Sequence, residues 1–327
     1  MTDGQRPGAL LMTYGSPASL EREDVARYLT RVRGGREPDA RLVDEFTRRY
    51  RVIGGSPLIE ITRRQAAALS DSLGWPVEIG MRFSEPSIVT ALGRLANAGV
   101  TNVAAVILSP QYSPLLMGGY ERAIESARDD LGAAAPEVTV AGAWHDEPAF
   151  IAALARRVQD SLAALPKEER SHVAVLMTAH SLPQRVAAQE PHYLAQLRDT
   201  AEAVAAAAGL GSRDWTFCWQ SAGHEPGEWM RPDFADLMPE IAASGSSTVL
   251  VVPVQFLADH LEILYDVDVG ARDQAEKQGL TFHRIRSLNV DPDLTSALAA
   301  TARRTLGEST QASRLVASSG STNRLTT

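Results

Sequence analysis

Short, continuous apolar runs separated by longer amphipathic stretches govern what this chain can fold into. Gly8–Thr13, Val77–Met81, Val103–Leu108 and Val138–Ala141 read as strands in the first half. Val173–Thr178, Trp215–Trp219, Thr248–Gln255 and Thr281–Arg284 follow in the second. Between them, Pro57–Leu73, Pro86–Ala98, Pro148–Ala164, Pro191–Ala208 and Pro232–Ala243 read as helices, their opening prolines suited to a first helical position. A strand apolar on both faces must be covered on both. The alternation therefore predicts parallel sheets with helices on each side.

An internal echo sharpens this. Leu11-Met12-Thr13-Tyr14-Gly15-Ser16-Pro17 resembles Leu176-Met177-Thr178-Ala179-His180-Ser181-Leu182-Pro183. Ala98-Gly99, Val103–Leu108 and Gln111-Tyr112 resemble Ser244-Gly245, Val249–Val252 and Gln255-Phe256, in the same order. Two related units follow. The predicted fold class is α/β, with two similar Rossmann-like lobes and a cleft between them, each lobe a parallel sheet flanked by helices. With 327 residues there is ample core for both. The lobes are expected at 1–160 and 161–308, joined near Ala164–Ser171, and 309–327 is expected to be a disordered tail, being Ser/Thr/Gly-rich with no apolar period.

Forty acidic against 32 basic side chains, a net charge of −8 and a pI near 5.5 argue against general nucleic-acid binding. No run has the roughly 18 apolar residues of a membrane span. The polar Met1–Gly8 lacks the apolar stretch of a secretory signal, so a cytoplasmic location is expected. One cysteine, Cys218, cannot make an intramolecular disulfide, a multi-cysteine zinc site or a protein-ligated iron–sulfur cluster within the chain. It reads as a strand-core residue. Residues 22–51 hold nine arginines against six acids. They read either as an ion-paired helix face or as a seat for a polyanionic small molecule.

Ligands of open α/β sheets sit beyond the carboxyl ends of the strands. That points to Tyr14–Pro17, Pro110–Ser113, His180–Pro183 and the segment after Gln255. Of seven histidines, His180 alone closes an apolar strand and precedes a Ser-Leu-Pro turn. The densest polar cluster runs from Asp259 to Asp266. A helix starting at Asp259 would put Asp259, Glu262 and Asp266 on one face. Two accounts then stand. Asp259 as N-cap with Glu262 at the third position is a capping-box-like start; a carboxylate ridge could instead take protons or hold a hard cation. By itself the segment favours the cap. GxGxxG, GxxxxGKS/T, HExxH and GxSxG are all missing, and Gly54-Gly55-Ser56-Pro57 is by itself a turn signal.

LLMTYGSP (10–17), RYLTRVRGGREP (27–38), RYRVIGGSPLIEIT (49–62), TAHSLP (178–183), FCWQSAG (217–223), PVQFLADHLEILYDVD (253–268) and FHRIRSLNVDP (282–292) resemble signatures of the ferrochelatase family. They occur in the family's order from about residue 9 to 300. The resemblance implies a two-lobed chelatase, a lyase that inserts Fe²⁺ into a free-base porphyrin. It implies His180 and Glu262 as the catalytic pair and metal ligands, one able to ligate or take a pyrrole proton, the other to relay the second.

Tyr14 matches the branch acting on coproporphyrin III, where a tyrosine faces the ring and can ligate product iron. Arg33, Arg49, Tyr50, Ser56 and Tyr120 fall on the family's substrate-contact positions. By the same resemblance Fe²⁺ is a substrate, no redox, nucleotide or iron–sulfur cofactor is required, and the product passes to the next haem-pathway enzyme by transient contact. The chain departs from some relatives at Gly270, where they continue an acidic ridge from Glu262 through Asp266, so a second metal site there is not expected. Gly80–Pro86 is less polar than in some relatives and is given no role. The rivals are a protoporphyrin IX ferrochelatase and a porphyrin or haem carrier without insertion chemistry.

Overall fold

The computed structural model describes residues 6–223 and 227–307; the segment 309–327, expected to be a disordered tail, lies outside them. β1 (Pro7–Thr13) is followed by three helices, α1 (Arg22–Val32), α2 (Ala40–Val52) and α3 (Leu58–Leu73), before β2 (Val77–Met81). α4 (Ile88–Asn97), β3 (Asn102–Ile107), α5 (Pro114–Leu131) and β4 (Glu137–Val140) complete the first sheet. α6 (Pro148–Ala164) and the short α7 (Lys167–Arg170) lead to β5 (Val173–His180), α8 (Gln184–Ala187), α9 (Pro191–Ala208) and β6 (Trp215–Gln220). α10 (Phe234–Ala243), β7 (Thr248–Pro253), a π-helix (Glu262–Ala271), α11 (Arg272–Lys277), β8 (Thr281–Arg284) and α12 (Pro292–Thr305) follow.

Both sheets are wholly parallel, in the orders β2-β1-β3-β4 and β6-β5-β7-β8. β1 and β5 thus hold the same place in their sheets, as do β3 and β7, which accounts for the sequence echo. All eight expected strands form. The expected helices form too, but proline plays three roles in them. It opens α6 and α9, as expected. Pro57 is itself the N-cap residue of α3 and not its first helical residue. Pro86 and Pro232 instead precede the caps Ser87 and Asp233, whose side chains accept the N–H of Thr90 and Asp236.

Why the strands are apolar on both faces is visible in where alternate residues go. Leu10 and Met12 of β1 pack with α4 and α5 on the outer side, through Ile88, Leu92 and Ile124. Ala9 and Leu11 face inward, into a core shared with Val175 and Met177 of β5. Leu176, on the opposite face of β5, packs on Phe234 and Ile263. The shared core is filled by α3, α6, α9 and α12, which contribute Leu69, Phe150, Leu197 and Leu298 among others. Each such side chain is fully or almost fully buried, a contribution of about 1.5–3 kcal/mol apiece. Chain order is not spatial order: α12 crosses back to pack on α3, β3 and α6. The lobes therefore share one apolar middle layer. No helix among the described residues is long and apolar enough to cross a membrane.

Candidate active site

In each sheet the chain leaves the second-listed strand toward one edge and returns to the third on the other side. Such a switch point opens a crevice at the carboxyl ends of those two strands. The two crevices face one another. Together they form a cavity of about 450 Å³, lined by Tyr14 after β1, Ser109 after β3, His180 on β5, and Gln255 and Glu262 after β7.

Tyr14 is held by the turn it begins. Gly15 has φ 90°, and a Cβ there would lie 2.0 Å from Ser84 Oγ, so only glycine fits. The Arg82 and Phe83 N–H groups donate to the carbonyls of Thr13 and Tyr14, and the Tyr28 hydroxyl donates to that of Gly15. Around the phenol stand Phe83 and Tyr120, ring centroids 5.1 and 6.4 Å away. The Arg82 guanidinium lies over all three rings, 5.9 Å from Tyr14, 4.7 Å from Phe83 and 5.3 Å from Tyr120. It occupies the space a side chain at Gly119 would need, since a Cβ there would come within 1.8 Å of it. Tyr14 is 47% exposed to the cleft, yet crowding protein raises its pKa through desolvation, against the opposing pull of Arg82.

On the facing wall His180 ends β5. Its N–H donates to Gln255 Oε1 at 2.8 Å, and Gln255 Nε2 donates to the Tyr193 hydroxyl at 2.6 Å. His180 Nδ1 donates to the Ser181 carbonyl at 2.5 Å. That bond places a proton on Nδ1, so in the neutral ring Nε2 carries the free lone pair. Nε2 stands 3.8 Å from Glu262 Oε1. A lone pair and a carboxylate oxygen aimed at one point repel unless a proton or cation lies between them. Two ligands each ~2 Å from one ion would be separated by about this distance. Trp229 lies beside the imidazole, ring centroids 6.5 Å apart.

The acidic segment corrects the sequence expectation. Asp259 does not cap a helix. Its carboxylate accepts from Ser287 Oγ at 2.6 Å, Asn289 Nδ2 at 2.9 Å and Arg284 at 3.5 Å, away from any helix start. The Glu262 N–H donates instead to His260 Nδ1 at 3.1 Å. Burial lowers the pKa of His260, keeping it neutral and able to accept. Nor do Asp259, Glu262 and Asp266 share a face. Glu262–Ala271 is a π-helix, whose wider turns align residues four to five apart, and such turns cluster at functional sites. Asp266 lies one turn beyond Glu262, its pKa raised to about 6 by burial and by Glu262, against Ser221 and Arg49. Gly270 follows on that face.

Of the residues matched by resemblance, Tyr14, Tyr50, Ser56, Tyr120, His180 and Glu262 all line the cavity. Arg33 and Arg49 stand outside the lining. Arg49 is paired with Glu45 at 2.8 Å and with Asp266 at 3.3 Å, linking α2 to the π-helix. Arg48 and Arg49 also flank the Tyr265 ring at 5.3 and 5.2 Å. Much of the arginine-rich segment is an ion-paired helix face, as in Arg22–Asp44 and Arg27–Asp24. Arg33 is an exception: its Nε is buried without an acceptor. Cys218 is buried in β6, its thiol pKa pushed up by desolvation.

Sequence reasoning missed Gln255, Tyr193, His260 and Arg82. Gln255 had a signal, since it ends a strand at the place of the loop after β3. Tyr193 lies within a helical pattern and announces nothing; His260 is hidden inside the acidic segment, and Arg82 belongs to Gly80–Pro86, the stretch given no role, which the structure brings to the site.

The ferrochelatase family model matches residues 6–306. A protein of Deinococcus radiodurans named ferrochelatase is 36% identical over 93% of this chain and 98% of its own length. A coproporphyrin III ferrochelatase of a Geobacillus species is 33% identical over 90% of this chain and 96% of its own length. The solved structure of SirB from Bacillus subtilis with Fe³⁺ shares the fold at a TM-score of 0.56 and 13% identity, covering 92% of this chain and 96% of that one. By its family match and these relatives, the chain belongs to the ferrochelatase family, lyases that insert a metal into a porphyrin.

Proposed function

We propose that this protein inserts Fe²⁺ into coproporphyrin III, releasing two protons and giving Fe-coproporphyrin for haem b synthesis. The observation that carries the reading is the convergence on one cavity of the Tyr14 phenol from one wall and the His180–Glu262 pair from the other. The aromatic wall of Tyr14, Tyr28, Tyr50 and Tyr120 suits one face of a flat macrocycle. The bare Nε2 of His180 then faces the ring nitrogens.

Four electron pairs on those nitrogens must reach the metal, and two of them begin as N–H bonds. Nε2 takes one pyrrole proton. The resulting imidazolium is held by Glu262 on one side and by the Ser181 carbonyl on the other. Glu262 takes or relays the second proton, and Asp266, one turn further along and with its pKa raised to about 6, is the next acceptor on this reading. Two protons leave as one Fe²⁺ enters, and the ring stays neutral. No redox or nucleotide cofactor takes part.

Coproporphyrin is favoured over protoporphyrin by Tyr14, by relatives bearing that name, and by Arg33. Its guanidinium has no carboxylate partner among the described residues, and its outer N–H groups are the donors for one of the four propionates. Arg49 could reach a propionate only by exchanging its carboxylate partners. By this reading the product acceptor is the next haem-pathway enzyme, met transiently in the cytoplasm.

The test is anaerobic insertion of Fe²⁺ into coproporphyrin III and protoporphyrin IX in parallel, followed by absorbance. Faster insertion into coproporphyrin is expected. Faster insertion into protoporphyrin would overturn the substrate assignment and keep the chelatase. Tight binding of both without insertion would make the protein a carrier.

A further inference from the structure

Asn289 lies in the turn between β8 and α12 and has a φ of 50°, a left-handed conformation that asparagine tolerates better than most residues. Its side chain and backbone make four bonds. Nδ2 donates to Asp259 Oδ2 at 2.9 Å, and Oδ1 accepts the Asp259 N–H at 2.9 Å. Its own N–H donates to the Leu257 carbonyl at 2.8 Å. Its carbonyl accepts from Gln65 Nε2, on α3, at 2.6 Å. One residue therefore clamps the segment Leu257–Asp259 and joins it to a helix that packs across the middle layer. Asn289 itself is not part of the cavity lining.

Little slack separates this clamp from the reacting groups. Ala258 packs on Leu58 and Ile61 of α3. Leu261 packs beside Val25, Leu29 and Tyr50 of α1 and α2. His260 Nδ1 takes the Glu262 N–H. Every residue from the clamp to Glu262 is thus seated on something, and Glu262 is the first residue of the π-helix.

We propose that Asn289 is a positioning residue for metal insertion, fixing Asp259 and through it the place of the Glu262 carboxylate opposite His180 Nε2. The proposal rests on the role given to Glu262 above. Misplacement by about 1 Å can cost on the order of 10²-fold in rate, so a remote clamp of this kind is kinetically visible.

The bond pattern supplies its own test, because it is reciprocal. Asn289→Gly keeps the left-handed backbone and removes the amide; Asn289→Asp and Asp259→Asn each break one half of the exchange. In the double variant, the amide introduced at position 259 donates to the carboxylate introduced at 289, which still accepts the residue 259 N–H. The carboxamide oxygen remains for Ser287 and Arg284. For the full-length protein, kcat, porphyrin KM, porphyrin affinity by fluorescence quenching and Tm are measured together. Each single variant should lose kcat by about 10- to 100-fold with KM and affinity within about twofold, and the double should recover to within about threefold of the parent.

A double variant as slow as the singles overturns the proposal. So does Asn289→Gly with unchanged kcat while Glu262→Gln is inactive, or a loss confined to Tm and porphyrin affinity. If Glu262→Gln itself turns over normally, the reading of Glu262 falls first, and the positioning role falls with it.

Discussion

The ends of β1 and β5 hold the same position in sheets of the same order, yet they carry different equipment. After β1 the chain makes a glycine turn and places Tyr14 among Phe83, Tyr120 and the Arg82 guanidinium, a wall of rings and one half-buried cation. After β5 the imidazole of His180 is itself the strand end, its proton committed to Ser181 and its lone pair aimed at Glu262. The connections differ in step. Three helices separate β1 from β2 and seat Tyr28, Tyr50 and Ser56 on the cavity, whereas a π-helix follows β7 and presents Glu262 and Asp266. Duplicated topology supplied two crevices; under the proposed function, what fills them divides the labour into a wall that seats a ring and a wall that moves protons.

The sharpest way to break that division is to cut one group from each wall. His180→Ala and Glu262→Gln should each lower kcat by about 10²- to 10⁴-fold with porphyrin affinity little changed. Tyr14→Phe should lower kcat by less than about tenfold and alter the absorption spectrum of the bound product. Equal kinetic losses on both walls would erase the distinction.

Glycines test it next. Gly15→Ala drives a Cβ into Ser84 at a positive φ, and Gly119→Ala displaces Arg82 from its three rings. Each should cost about 1–3 kcal/mol by denaturant unfolding, and the second should also weaken porphyrin binding.

Asp266 probes the proton-moving wall by pH. Its carboxyl binds a proton more tightly in the folded chain, with pKa about 6, than unfolded at about 3.9. Its contribution to stability is therefore lost as pH rises between those values and stays at that lower level above the folded pKa. Asp266→Asn should be more stable than the parent at pH 7.5, by on the order of 1–2 kcal/mol in denaturant unfolding after loss of the Arg49 pair, and little different at pH 4. An equal gain at both would remove Asp266 from the proton path. The smallest effect belongs to Gly270, where a Cβ would meet only the Tyr265 carbonyl at 3.7 Å. Gly270→Ala should stabilise by about 0.5–1 kcal/mol with unchanged turnover. A loss of activity there would show that this turn must flex.

Much of the frame was legible because it depends on neighbours in the chain. Runs such as Leu10–Met12 and Leu176–Ala179 need cover on both faces whatever surrounds them. The echo between Leu11–Pro17 and Leu176–Pro183 marks equivalent strands, and the strand-end rule put Tyr14 and His180 at the crevice. The acidic segment shows where this stops. Asp259 and Glu262 look like a cap and its partner when only their spacing is known. The structure sends Asp259 to Arg284, Ser287 and Asn289, 25 to 30 residues away, and gives the Glu262 N–H to His260.

Arg82 and Gln255 follow the same pattern, one settled by three rings from different segments, the other by a strand end and a helix. The sequence by itself determined the strands, their layering and the two residues that close them, because burial is patterned by local period. Which polar group meets which was decided only by the tertiary structure, because a hydrogen bond or ion pair depends on distances that remote segments define.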